Sequence, residues 1–199
     1  MKNLARILSI IFHPSLIPTC LVLIFFENEN FLALNFERKK ILFLIIFLTT
    51  FLMPVFSLPF FYFTKNIKSL EMKSHKERFL PLLISSVFYL LGIFLLKIYL
   101  FEKILSDFLI SAFIILIFSA FISLKWKISL HLSGMGSLFA SIIILIHKFN
   151  FNLKLLLIVV FFMTFVIAWA RLELKAHNIL QIIYGFFFAF LFILFFFNF

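Results

Sequence analysis

The sequence predicts an all-α protein, a polytopic bundle of six to seven transmembrane helices. Hydrophobic residues make up 65% of the 199 residues, and the mean hydropathy is +1.22. A soluble domain averages about half apolar residues, so this excess indicates that lipid surrounds much of the chain. The apolar residues also form runs of about 20, the length that a helix needs to cross a hydrocarbon core. The chain is therefore predicted to be an integral membrane protein.

Seven apolar segments are predicted to cross the membrane in turn. The first follows a positively charged start, and its long apolar run without a cleavage motif predicts an uncleaved transmembrane helix. A short turn at Glu102 and Lys103 predicts that the third and fourth segments pair as a helical hairpin. Pro54 and Pro59 are expected to kink the second helix. No linker composition divides the chain, so residues 1–199 are predicted to form one domain. The segments cover residues 5–26, 41–63, 79–101, 104–124, 129–147, 153–170 and 178–199.

The net charge of +10 arises from 18 lysines and arginines against 8 acidic residues. These cations lie in short loops between apolar runs, which is typical of residues that face lipid headgroups. Membrane lipids are thus expected partners, and nucleic acid is not, because no basic surface alternates with aromatic residues. More cations fall on the side of the N-terminus than on the opposite side, which favours a cytoplasmic N-terminus. No zinc spacing or nucleotide fingerprint occurs, so neither a metal nor a cofactor is expected.

Three polar clusters lie at helix ends, in residues 75–81, 127–134 and 170–181. With seven helices, all three emerge on one face of the membrane, where they can form a single interfacial pocket. Glycines flank the second and third clusters, and small residues let helices approach closely in lipid. We therefore expect the four strongest candidates to come within reach of one phosphate: Arg78, His131, Arg171 and His177.

These residue types suit phosphate chemistry. The arginine guanidinium is a planar fork of donors that matches two phosphate oxygens at once. Histidine can attack phosphorus or transfer a proton near neutral pH. The helix that starts near His131 adds backbone N–H groups, which attract anions. The sequence therefore indicates a site for a phosphoryl group.

The spacing of Arg171, His177, Gln181 and Gly185 resembles the third motif of the type-2 phosphatidic acid phosphatase superfamily. That motif contains Ser-Arg, five residues, His, three residues and Asp, usually with a glycine four residues further on. The segment ISLH resembles the second motif, Pro-Ser-Gly-His, and the segment KERFLP resembles part of the first, Lys, six residues, Arg-Pro. The N-terminal run IFHPSLIPT also resembles membrane members of this superfamily from the Bacteroidetes. The motifs span about half of the chain and occur in the family's order.

The resemblance implies a membrane phosphatase or phosphotransferase, located in a bacterial inner membrane, that forms a phosphohistidine. Its substrate would be a lipid phosphate such as phosphatidate, phosphatidylglycerol phosphate or a polyprenyl diphosphate. By position, His177 would be the nucleophile and His131 the general acid, while Gln181 would orient His177. The phosphate-binding residues would be Arg78, Arg171 and Ser129, with Lys73 or Lys76 as the candidate for the first-motif lysine.

Gln181 departs from the family motif, because an amide stands where the family has aspartate. On a helix starting near residue 176, Gln181 and His177 lie one turn apart, so the amide is predicted to contact the imidazole. A neutral amide offers no charge to a developing imidazolium. Two functions therefore remain open: a lipid phosphatase, or a catalytically degenerate protein that binds lipid phosphate or supports an envelope assembly.

Simpler roles compete with the site at several positions. Arg171 and Lys175 also fit helix-end anchors at the headgroups, and Arg78 fits a solvated basic loop. Alone, His131 also fits a hydrogen-bonded interfacial histidine. His13 and His147 receive no partner from the sequence. A small transporter is disfavoured, because neither an inverted repeat nor a mid-membrane charge pair is evident.

Overall fold

The computed structural model describes residues 1–27, 34–69, 72 and 74–199, which fold into helices and turns without any strand. Nine α-helices occur within these residues, accompanied by two 3-10 turns and one π-helical turn. The helices are α1 (Lys2–Ile11), α2 (Ile17–Phe26), α3 (Phe36–Phe47), α4 (Met53–Phe63), α5 (Phe79–Ile98), α6 (Lys103–Ser123), α7 (Leu130–Phe149), α8 (Lys154–Glu173) and α9 (Ile179–Phe196).

Seven helical stretches of the described residues are long and apolar enough to cross a membrane. They correspond to the seven predicted segments, so the predicted all-α, polytopic class and the integral membrane character are confirmed. The spans are Lys2–Phe26, Phe36–Phe63, Lys76–Ile98, Lys103–Ser123, Leu130–Phe149, Lys154–Glu173 and Ile179–Phe196.

The first predicted segment is interrupted, although its hydropathy is continuous. Helix α1 ends at Ile11, and a 3-10 turn at Pro14–Leu16 precedes α2. The physical cause is Pro14, which has no N–H to continue the helical ladder. The second segment contains a π-helical turn at Leu48–Leu52, directly before the predicted kink position Pro54.

Contacts divide the described chain into two compact units, Met1–Ile17 with Lys127–Phe199, and Pro18–Trp126. Whether residues 1–199 act as one domain stays a prediction. In the second unit, α5 and α6 pack together after a short turn at Glu102, so the predicted hairpin is confirmed. Arg38 donates from Nη2 to the carbonyl oxygens of Tyr99 and Leu100, at 3.2 and 3.3 Å, and thereby caps the end of α5.

In the first unit, α7 packs against α9 and α8, and α1 packs against α8. Two glycines permit the approach of α7 to α9. A Cβ atom at Gly136 would overlap the carbonyl oxygen of Phe186, and one at Gly185 would lie 2.7 Å from the carbonyl oxygen of Ser129. Where α7 and α9 meet at their C-terminal and C-terminal-flanking residues, Lys148 Nζ donates to the carbonyl oxygens of Phe197 and Asn198. The close helix approach expected from these glycines is therefore confirmed.

Candidate functional site

The chain reverses at the end of α8, one turn after Arg171. Lys175 adopts a left-handed conformation, with φ 50°. Its N–H donates to the Leu172 carbonyl at 2.8 Å, and the Ala176 N–H donates to the Arg171 carbonyl at 3.1 Å. This pair of bonds is the Schellman arrangement, which closes many helix ends. The reversal puts Arg171 and the following His177 at the same end of α8.

The start of α9 fixes the imidazole of His177. Asn178 caps the helix: its side chain accepts from the Gln181 N–H at 2.9 Å, while Gln181 Oε1 accepts from the Asn178 N–H at 3.3 Å. The same Oε1 lies 3.0 Å from His177 Nδ1. The predicted contact between imidazole and amide is thus present. It is made across the helix cap, because α9 starts at Ile179 and not near residue 176.

This capping box also determines the tautomer of His177. Because Gln181 Oε1 accepts from a backbone N–H, the amide orientation is fixed, and an amide oxygen can only accept. His177 Nδ1 therefore carries the proton, and the lone pair of a neutral imidazole lies on Nε2. His177 is 8% exposed, so the residue is largely buried.

The start of α7 packs directly against the same cap. The Ser129 N–H donates to the Gln181 carbonyl at 3.2 Å, and Gly185 leaves room for the Ser129 backbone. The Ser129 side chain is fully buried, and its Oγ makes no hydrogen bond with any residue in the described part of the chain. Since buried hydroxyls normally have a partner, this one is suited to a ligand oxygen.

His131 follows Ser129 on the first turn of α7 and contacts the N-terminal segment. Its Nε2 lies 2.9 Å from the Ser9 carbonyl oxygen. Its ring centroid is 5.8 Å from that of His13, with the ring planes at 79°. The charge of Arg171 acts on both His13 and His131, and His131 also lies within electrostatic range of His177. Three imidazoles and one guanidinium therefore form a single cluster within the first unit.

The predicted site residues do not all fall in this unit. His131, Arg171, His177, Gln181 and Ser129 are brought together. Arg78 and Lys76 belong to the second unit, and Lys73 lies outside the described residues. Convergence of Arg78 with the histidines stays a prediction.

Within the second unit, Arg78 is buried, and its Nε donates to the Met72 carbonyl at 3.3 Å. Lys76 is exposed on the same 3-10 turn. His75 Nδ1 donates to the Ser123 carbonyl at 2.8 Å and thereby attaches this turn to the end of α6. Arg78, which also fitted a solvated basic loop, is therefore buried.

Two residues of the cluster, Ser9 and His13, were missed by sequence reasoning. Ser9 is buried, and its Oγ hydrogen-bonds no described residue, as at Ser129. The signal that could have found them was the dipeptide His13-Pro14, a polar residue beside a helix-breaking residue inside an apolar run. Polar residues at a break in a membrane helix often line a cavity.

The cluster has the donors and acceptors of an anion site with a nucleophile. It offers an imidazole lone pair at His177, a second imidazole at His131, the guanidinium of Arg171 and the Ser129 hydroxyl.

Within the described part of the chain, no group of three or more histidine, cysteine or acidic side chains is arranged to hold a metal ion. Comparisons with family models, curated proteins and solved structures found no match to the chain.

Proposed function

We propose that this protein is a membrane lipid phosphatase or phosphotransferase that works through a phosphohistidine. The observation that carries the proposal is the 3.0 Å hydrogen bond between His177 Nδ1 and Gln181 Oε1. It directs the Nε2 lone pair away from the cap, as a nucleophile requires. The motif resemblance of the surrounding residues supports the same assignment, including a place in a bacterial inner membrane.

In the proposed reaction, His177 Nε2 attacks the phosphorus of a lipid phosphate, and the bond from phosphorus to the lipid oxygen breaks. His131 donates a proton to that leaving oxygen. Arg171 and Ser129 hold the phosphoryl oxygens and stabilise their charge. Water, or an acceptor alcohol, then attacks the phosphohistidine with His131 as base, and His177 is regenerated.

The test is phosphate release by purified protein in nanodiscs from phosphatidate, phosphatidylglycerol phosphate and a polyprenyl diphosphate. We expect release from at least one lipid, with saturation kinetics. The alternative function, binding of lipid phosphate without hydrolysis, is favoured by the neutral Gln181. It predicts that the same lipids raise the unfolding temperature while phosphate release stays at background.

Anion binding depends on Arg171 in this proposal. Orthovanadate and phosphate are expected to raise the unfolding temperature of the detergent-solubilised protein, because a ligand of the folded state shifts the unfolding equilibrium. Arg171→Ala should remove most of that shift. Lys154→Ala is the matched control, since it deletes an exposed cation from the opposite end of α8. An equal shift in both variants would contradict the assignment of Arg171.

The charge of the group beside His177 is expected to set the turnover. Gln181→Glu keeps the side-chain length and an oxygen acceptor for both Asn178 N–H and His177 Nδ1–H. A bond to a charged acceptor is worth ~1.5–3 kcal/mol, against ~0.5–1.5 kcal/mol for a neutral one. We therefore expect Gln181→Glu to raise turnover by roughly 10-fold, and Gln181→Leu, which removes both bonds, to lower it. A slower Gln181→Glu enzyme would show that the amide is the better partner.

A further inference from the structure

The break in the first helix creates the acceptor that holds His131. In an uninterrupted helix, the Ser9 carbonyl would accept from the N–H of His13, and the Ile10 carbonyl from residue 14. Pro14 has no N–H, and the His13 N–H donates instead to Ile10 at 3.2 Å. Carbonyls at a helix end need partners from elsewhere. His131 Nε2 donates a hydrogen bond to the Ser9 carbonyl oxygen, at 2.9 Å.

His13 is itself held in place by the turn that follows. Its Nδ1 accepts from the Ser15 N–H at 3.4 Å, so its ring is fixed relative to the 3-10 turn. That turn packs against α7, because a Cβ atom at Gly134 would lie 3.3 Å from the Pro14 Cβ. The His13 ring then meets the His131 ring nearly at right angles, a favourable arrangement for aromatic rings.

The carbonyl partner determines which nitrogen of His131 can exchange a proton with a substrate. A carbonyl oxygen only accepts, so Nε2 must donate to Ser9. In the neutral ring the lone pair then lies on Nδ1. When the ring is protonated, Nε2–H stays with Ser9 and Nδ1–H is the proton that can be transferred.

We infer that the segment Ser9–His13 belongs to the site, with the Ser9 carbonyl and His13 positioning His131 so that it exchanges its proton through Nδ1. The inference rests on the proposed function for its effect on turnover. Its geometric part, the bond between His131 Nε2 and Ser9, is testable without any reaction.

The first experiment is nitrogen NMR of histidine-labelled protein in nanodiscs, with the His131 signals assigned by comparison with His131→Gln. Wild-type His131 is expected to carry its proton on Nε2 when neutral. Pro14→Ala restores an N–H that can donate to the Ile10 carbonyl, which frees the His13 N–H to donate to the Ser9 carbonyl. The His131 Nε2–H signal should then shift, because its acceptor is occupied. His147→Ala is the control, since His147 lies near the far end of α7 beside Phe199, with ring centroids 5.5 Å apart.

The second experiment measures lipid phosphate turnover in His13→Ala, His13→Phe and Pro14→Ala. Small displacements of a catalytic group can lower rates by up to about 10²-fold, and we expect kcat to fall roughly 10-fold in His13→Ala and Pro14→Ala with KM within twofold. His13→Phe keeps a ring against His131 and should recover most of the loss.

The outcomes separate this inference from the proposed function. A wild-type protein that releases no phosphate but carries the His131 proton on Nε2 contradicts the proposed function and leaves the positioning by Ser9 supported. A His131 proton on Nδ1 in the neutral wild-type ring overturns the inference, whatever the activity. In an active enzyme, unchanged kcat in both His13→Ala and Pro14→Ala also overturns it.

Discussion

His177→Ala is expected to lower phosphate release from a lipid phosphate by at least ~10³-fold, the scale seen when a nucleophile is removed. The Nε2 atom that would bond to phosphorus is lost, while the cap formed by Asn178 and Gln181 does not depend on the imidazole. The variant should therefore fold and still bind vanadate. The measurements are release of phosphate and alkaline quenching during turnover of a lipid phosphate radiolabelled in its phosphoryl group. The quench should trap an acid-labile, alkali-stable phosphoenzyme in wild type and not in His177→Ala.

His147→Ala provides the matched control for that experiment. It removes a histidine of the same unit from the opposite end of α7, and we expect wild-type turnover and labelling from it. A labelled phosphoenzyme in His177→Ala would assign the nucleophile to another residue. Equal activity of both variants would remove the basis of the proposed mechanism.

Gly136→Ala is expected to destabilise the protein more than any other single methyl added to its glycines. In an exposed helix, alanine would be favoured over glycine by about 1 kcal/mol. Here the new Cβ would overlap the Phe186 carbonyl oxygen and lie 3.0 Å from its carbonyl carbon, so backbone would have to move. Overpacking of this kind costs about 1–3 kcal/mol, and against backbone we expect the upper part of that range. Thermal unfolding in one detergent measures the effect.

Gly134→Ala, two residues earlier on the same helix, is the comparison. Its new Cβ would meet Ile17 Cγ1 at 3.1 Å, Pro14 Cβ at 3.3 Å and Pro14 Cα at 3.4 Å, which are looser contacts that a shift of a few tenths of an ångström relieves. The gain in helix propensity then offsets much of the crowding. We expect its unfolding temperature to stay close to wild type. Equal losses of unfolding temperature in the two variants would contradict the claim that the Phe186 backbone resists the added methyl more than the neighbours of Gly134 do.

Most of the fold was predictable, because crossing a bilayer imposes a length and a composition on each helix that hydropathy detects directly. The break at Pro14 was not predicted, because apolar residues continue through it and hydropathy does not register a missing N–H, although a proline marks a place where a helix can end. The π-helical turn lies directly before Pro54, where a kink was expected, and hydropathy does not indicate the form of that irregularity. In both places one proline changes the hydrogen bonds of a segment without changing its polarity.

The candidate site was predictable where its members are neighbours in sequence. Arg171, His177 and Gln181 lie in one short segment at the junction of α8 and α9. The contact between His177 and Gln181 follows from local geometry, although the helix cap and not a helical face produces it. Ser9 and His13 contact His131 from the opposite end of the chain. The dipeptide His13-Pro14 signals a break in the helix, but no local pattern shows that this segment contacts α7. Arg78 illustrates a further limit, because motif order alone does not fix distance.

The contact between α7 and α9 also restricts how a lipid can approach. Backbone meets backbone at Gly185 and Ser129, one turn from the Gln181 amide, and again at Gly136 and Phe186. No acyl or prenyl chain can slide between helices at that separation. The tail of a lipid whose headgroup reaches His177 must therefore lie along another side of the cluster. The contact between α7 and α9 cannot distinguish lipid tails of different length.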